Sequence, residues 1–175
     1  NIIRIGSAGA YTSDLDLLDV VLVNGSYTEG NFANNMSNKE EHFTLASQEL
    51  NKKIIEVADG FDKKIVVANT ACTEVFDPYI DDINSLISRF PKEYNILAAE
   101  MEAFAIFYVA KTLNKKAACL LTVVDSFKKS HTKGHAASLV TSKLSSLIKK
   151  PTLPVVCPSM LIVLIVIPPK SNSWP

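Results

Sequence analysis

Glu100-Met101-Glu102 sets two carboxylates one residue apart between the apolar stretches ILAA and AFAIFYVA. At a strand end both side chains point the same way; at a helix start both meet the positive end of the dipole. Helix-terminal charge and a polar ligand site are both open on this motif alone. Carboxylates are seldom enclosed by apolar sequence unless something polar needs them. Asp125 ends the most apolar strand run of the chain, AACLLTVV. The carboxyl end of a strand is where open α/β sheets place ligands. Apolar surroundings disfavour the charged form of an Asp, which suits it to donate a proton, although a turn or helix cap would use the same residue. Gly6-Ser7-Ala8-Gly9, with Arg4 two residues before it, reads as a small-residue turn. Its N–H groups, a hydroxyl and a guanidinium could share a small anion, or the glycines could simply make the turn.

Other chemistry is weaker. His131 and His135 have the i, i+4 spacing of paired ligands, but no HExxH pattern accompanies them and Gly134 interrupts the helix, so no metal is expected. Lys128, Lys129 and Lys133 have no interleaved aromatics, so nucleic-acid binding is not expected.

The elements that would position these residues alternate between strand and helix. Residues 2–5 and Leu18 to Val23 read as strands, followed by a long polar loop from Tyr27 to Glu41. Leu45, Leu50, Ile54, Ile55 and Ala58 give a helical period over 44–58, stopped at Gly60. Ile65 to Ala68 is a strand, and Asp77-Pro78 opens a helix with Ile80, Ile83, Leu86 and Ile87 on one face. A brief strand at 96–99 precedes an apolar helix over 103–113, and the strand 117–124 ends on Asp125. The expected fold is α/β, with a largely covered sheet. Residues 1–150 form one expected domain, including a helix over 136–148. Residues 151–175, with six prolines and the run MLIVLIVI, form an atypical apolar tail expected to pack poorly.

The 175 residues suffice for one domain. Net charge is zero, yet all 18 acids lie at or before Asp125, and the last 50 residues hold seven lysines and no acid. Arginine occurs only as Arg4 and Arg89, which excludes an arginine-rich nucleic-acid binder. Three separated cysteines, Cys72, Cys119 and Cys157, with no CxxC, point away from zinc knuckles and disulfide frameworks toward a reduced, cytoplasmic setting. The longest apolar run near the end, Met160 to Ile167, is eight residues. A membrane span needs about 20. The start, Asn1-Ile2-Ile3-Arg4, reads as a strand already under way inside a domain.

Taken together, Arg4-Ile-Gly-Ser-Ala-Gly, Glu100-Met-Glu-Ala and Thr122-Val-Val-Asp125 resemble the nucleoside phosphorylase superfamily, most closely the bacterial, trimer-of-dimers purine nucleoside phosphorylases. The similarity runs from about residue 2 to about residue 130. It implies an α/β fold with a mixed central sheet flanked by helices, and reversible phosphorolysis of purine (deoxy)ribonucleosides, with inorganic phosphate as co-substrate, no cofactor, and a homo-oligomer, a hexamer by resemblance. It places Arg4 and Ser7 at phosphate, and Glu102, Met101 and Glu100 at the ribose. Phe76, Ala8, Gly9 and Ala99 fall around the base, and Asp125 is the general acid at purine N7. Measured against that pattern the chain is expected to be incomplete at its N-terminus, where the family carries a glycine-rich phosphate loop. No arginine follows Asp125, and Ser138 stands in the matching region. Two alternatives remain. One is a methylthioadenosine/S-adenosylhomocysteine nucleosidase-like hydrolase, against which Arg4 counts. The other is an inactive nucleoside-binding remnant.

Overall fold

β-branched and small residues carry the first strand, β1 (Ile2–Ala10), straight through Gly6-Ser7-Ala8-Gly9. The computed structural model describes residues 1–59 and 64–128, and the backbone of 155–157 and 160–166. The expected turn is therefore a strand. Its backbone pairs Gly6 with Leu121, Ser7 with Thr122 and Ala8 with Val123, with a register shift before Gly9. Gly6, Ser7 and Ala8 thus run in a ladder with β6 rather than in a turn that could wrap an anion.

β2 (Val20–Tyr27) is followed by α1 (Phe32–Ser37), β3 (Phe43–Leu45) and α2 (Gln48–Ala58). The expected long loop thus contains a short helix, and the helix over 44–58 starts later. Thr44 and Leu45 pair with β2, and the Ser47 side chain accepts the Leu50 N–H to cap α2. β4 (Ile65–Cys72) leads to a 3₁₀ turn at Asp77–Tyr79 and then α3 (Ile83–Arg89). That helix begins later than Pro78 suggested because Asp82 caps it, accepting the Ser85 N–H at 3.0 Å. β5 (Ile96–Glu100), α4 (Ala103–Thr112) and β6 (Ala117–Ser126) follow the expected order.

The sheet is mixed. β1 runs parallel to β6, and β2, β4 and β5 run parallel to one another. Antiparallel joins of β6 to β2 and β5 to β1 close these five strands into a circuit. β5 touches β1 only at Gly9 and Ala10, leaving residues 2–5 of β1 with an open edge. β8 (Met160–Val166) fills it antiparallel, Ile2 opposite Val166 and Ile5 opposite Val163, and β7 (Val155–Cys157) pairs with β8. The apolar tail expected to pack poorly therefore contributes two strands. The helix expected over 136–148 and the histidine pair lie outside the described residues.

Small residues let α4 approach the strands closely. Ala103, Phe107 and Ala110 share a buried cluster with Ala8, Ala10, Ala98, Leu121 and Val123. On its other side Phe104 and Tyr108 pack over Ala33 of α1. α3 seats Leu86 against Tyr11, Ala71, Phe90 and Ala99 in a second cluster. Among the described residues no helix is long and apolar enough to cross a membrane.

Candidate active site

Strand pairing fixes where the sequence-predicted residues meet. Gly9 of β1 lies between Ala99 of β5 and Asp125 of β6, so three of them form one row across three strands. Gly9 is required there for close approach. A methyl in its place would stand 2.6 Å from Asp125 Oδ1 and 3.3 Å from the Phe127 ring. Past Ala99, β5 runs back along β1 toward Arg4, and this carries Glu100 and Glu102 to the guanidinium.

Arg4 folds over Gly6, where a methyl would meet its guanidinium at 2.8–2.9 Å. The side chain is fully buried. Its Nη2 pairs with Glu102 Oε2, its Nη1 stands 3.6 Å from Glu100 Oε2, and Nη1 donates to Cys119 Sγ at 3.4 Å. Burial works against the Arg4 charge, but Cys119, Glu100 and Glu102 outweigh it and hold the guanidinium above its ordinary value.

Glu100 realises the helix-terminal reading. Its Oε2 accepts the N–H of Glu102 at 2.9 Å and of Ala103 at 2.7 Å, satisfying the first turn of α4. Its Oε1 accepts Ser26 Oγ–H at 3.4 Å, and Thr70 in turn donates to Ser26 at 3.2 Å. Burial pushes the Glu100 carboxyl up, while Arg4 and the two N–H groups pull it back. A raised carboxyl keeps its proton in the folded chain at a pH where the unfolded chain has lost it. Stability therefore declines as pH climbs from the ordinary value of 4.5 through the raised one. Glu100→Gln, whose amide oxygen can still accept both N–H groups, is expected to flatten that slope. Urea midpoints measured from about pH 4 to 8 check it, and an unchanged slope would reassign the titration.

Glu102 is the N-cap residue of α4, yet its side chain makes no cap bond. It turns instead to Arg4 and stays a quarter exposed. Met101 and Ser7 are half-buried. Phe76 lies beyond β4, 49% exposed and edge-on to Tyr79, in contrast to the enclosed carboxylates.

Three polar partners, Ser26, Thr70 and Tyr11, escaped the sequence reading, and Asp77 stood in it only as a helix start. Each is a single residue within or beside apolar sequence. Tyr11, buried beyond Gly9, donates to Asp77 Oδ2 at 2.9 Å and packs 5.7 Å from Phe127. Burial first, then Asp77 and Asp125, drives its hydroxyl far above the usual phenol value, so it remains a donor. Tyr11→Phe is expected to cost about 1–3 kcal/mol by leaving a buried acceptor without this donor. Urea unfolding measures it. A loss below about 0.5 kcal/mol would mean that Asp77 is otherwise satisfied.

A cavity of about 290 Å³ opens between the ends of β2 and β4 and helix α3, where Arg89 forks Glu29 at 3.1 and 2.8 Å. None of the sequence-predicted site residues lines it. Among the described residues no cluster of three or more His, Cys, Asp or Glu is arranged for a metal ion.

The described strands thus form a closed mixed sheet that holds a buried Arg4–Glu100 pair and carries Asp125 near the end of β6. The chain belongs to the phosphorylase superfamily, whose family model matches residues 1–150. It is 36% identical over 129 residues to a DeoD-type purine nucleoside phosphorylase of Psychromonas ingrahamii, covering 73% of this chain and 52% of that one. A counterpart from Proteus mirabilis is 34% identical over 132 residues, with the same coverage. The chain thus spans about half the length of the curated relatives it matches. The fold is also that of a Campylobacter jejuni 5'-methylthioadenosine/S-adenosyl homocysteine nucleosidase, at TM-score 0.66 and 19% identity, over 83% of this chain and 65% of that one.

Proposed function

We propose that this chain carries the base- and sugar-handling part of a purine nucleoside phosphorylase. The reaction is reversible phosphorolysis of purine (deoxy)ribonucleosides to the free base and (deoxy)ribose 1-phosphate. The observation that carries the reading is the Ala99–Gly9–Asp125 row set beside a buried Arg4 paired with a quarter-exposed Glu102.

A phosphate oxygen forms a bond to C1′ as the C1′–N9 bond breaks, and its electron pair goes to the purine. The sugar becomes oxocarbenium-like, so anionic phosphate on one side and the Glu102 carboxylate at the hydroxyls stabilise it. Negative charge gathers on the leaving base, and Asp125 delivers its proton to N7. Arg4 and Ser7 hold the phosphate, and Met101 packs on the sugar. Ala8, Gly9 and Ala99 leave room for the base beside the aromatic ring of Phe76. Glu100 acts at one remove, fixing the start of α4 and therefore Glu102. The reaction uses phosphate as co-substrate and needs no cofactor. The working form in this reading is a cytoplasmic homo-oligomer, a hexamer.

One observation favours a second reading. Arg4 is fully buried and gives Nη2 to a carboxylate, as an enzyme using water would allow. Base release from inosine and adenosine, with and without phosphate, separates the two. Release that requires phosphate supports phosphorolysis; equal release without phosphate supports a nucleosidase. Binding without release supports the inactive remnant.

A further inference from the structure

We infer that an oxyanion reaches Arg4 only by displacing Glu102, so that anion binding and release of the sugar-binding carboxylate are a single exchange. The inference rests on the phosphorolytic reading for its ligands, and on the geometry for the exchange itself.

The two carboxylates around Arg4 are held very differently. Glu100 is fully enclosed, with Oε2 committed to two backbone N–H groups and Oε1 to Ser26. Removing it would uncap α4 and bury unsatisfied donors. Glu102 has no cap bond, and Arg4 is its carboxylate's hydrogen-bond partner. It is also the exposed member of the trio, with a quarter of its side chain open beside a guanidinium that has no exposure. Nη1 is occupied from the other side by Cys119 Sγ, and Nε is buried without a hydrogen-bond partner. The guanidinium therefore has donor capacity to spare, and Glu102 covers its Nη2 edge.

A tetrahedral oxyanion suits that edge, because it can replace one carboxylate oxygen on Nη2 and bring further acceptors. The displaced Glu102 loses its partner, which leaves its side-chain oxygens ready to accept hydrogen bonds from the hydroxyls of a sugar. A sugar that draws Glu102 away uncovers Arg4 in the same manner. Each ligand thus favours the other, and linkage makes the effect reciprocal.

Sulfate is the probe, since it offers phosphate's geometry and charge without supporting turnover to a sugar 1-phosphate. Calorimetric titration of the full chain with sulfate, and with inosine in the absence and presence of saturating sulfate, reads the coupling. Sulfate is expected to tighten inosine binding by about fivefold or more. Glu102→Gln and Glu102→Ala are both expected to bind sulfate more tightly than the unchanged chain, the Ala variant more so. Both should lose the effect of sulfate on inosine. Circular dichroism confirms that each variant is folded, and the partly exposed position makes the Gln variant the safer of the two. Sulfate affinity unchanged or weakened in folded variants would overturn the exchange, as would no sulfate binding by any form. The failures are distinguishable. A chain that releases base without phosphate yet shows tighter sulfate binding in the Glu102 variants keeps the exchange and loses the phosphorylase. A phosphate-dependent chain whose sulfate affinity ignores Glu102 does the reverse.

Discussion

Asp125→Asn is expected to lower turnover by about 10²–10⁴-fold while leaving nucleoside affinity close to that of the unchanged chain. The amide nearly matches the carboxyl in shape and can still hydrogen-bond to the base, but it has no acidic proton to deliver to N7. Loss confined to kcat is the signature of an interaction made only in the transition state. The structural basis is local. Asp125 Oδ1 lies against Gly9, one strand away from Ala99, so the carboxyl borders the space assigned to the base. Steady-state base release, with nucleoside binding measured in the absence of phosphate, gives both quantities. Unchanged turnover would remove Asp125 from the proton donor's role.

Arg4→Met is expected to cost about 3–5 kcal/mol of stability, as breaking a buried ion pair from one side does. Methionine fills much of the space, yet Glu100 would stay enclosed with no cation beside it, and Cys119 would lose its donor. Urea unfolding measures the loss. Glu100→Gln placed in the Arg4→Met background is expected to restore part of it, because Gln fills the enclosed position with no ionisable group. A loss below about 1 kcal/mol, or no recovery in the double variant, would mean that Arg4 contributes little to the fold. With its anchoring role reduced to that level, Arg4 would be freer to serve a ligand alone.

The contrast between what could and could not be read from the chain follows from range. AACLLTVV and AFAIFYVAKTL announce β6 and α4 because their apolar character is continuous and local. Glu100-Met101-Glu102 stands out as a candidate site because charge there interrupts apolar sequence. The roles of its two acids do not, since they depend on Arg4, 98 positions before Glu102. Gly6-Ser7-Ala8-Gly9 looked like a turn because glycine usually marks one. In β1 those glycines instead make room for the Arg4 guanidinium, two residues along the same strand, and for the Asp125 carboxylate, brought in by a strand pairing that no local pattern encodes. Ser26, Thr70 and Cys119 are ordinary strand residues until the closed circuit links them to the buried Arg4–Glu100 pair. Tyr11 and Asp77, 66 positions apart, meet only because α3 and the preceding turn fold over the end of β1. The strand β8 is not legible in the tail for a related reason: its partner is the open edge of β1, at the far end of the sequence.

The most direct test of the account follows the phosphorus. With inosine and inorganic phosphate as substrates, ³¹P NMR of the reaction should show the phosphate resonance giving way to that of a sugar 1-phosphate as hypoxanthine appears. Hypoxanthine appearing with free ribose, while the phosphate signal stays constant, would contradict it.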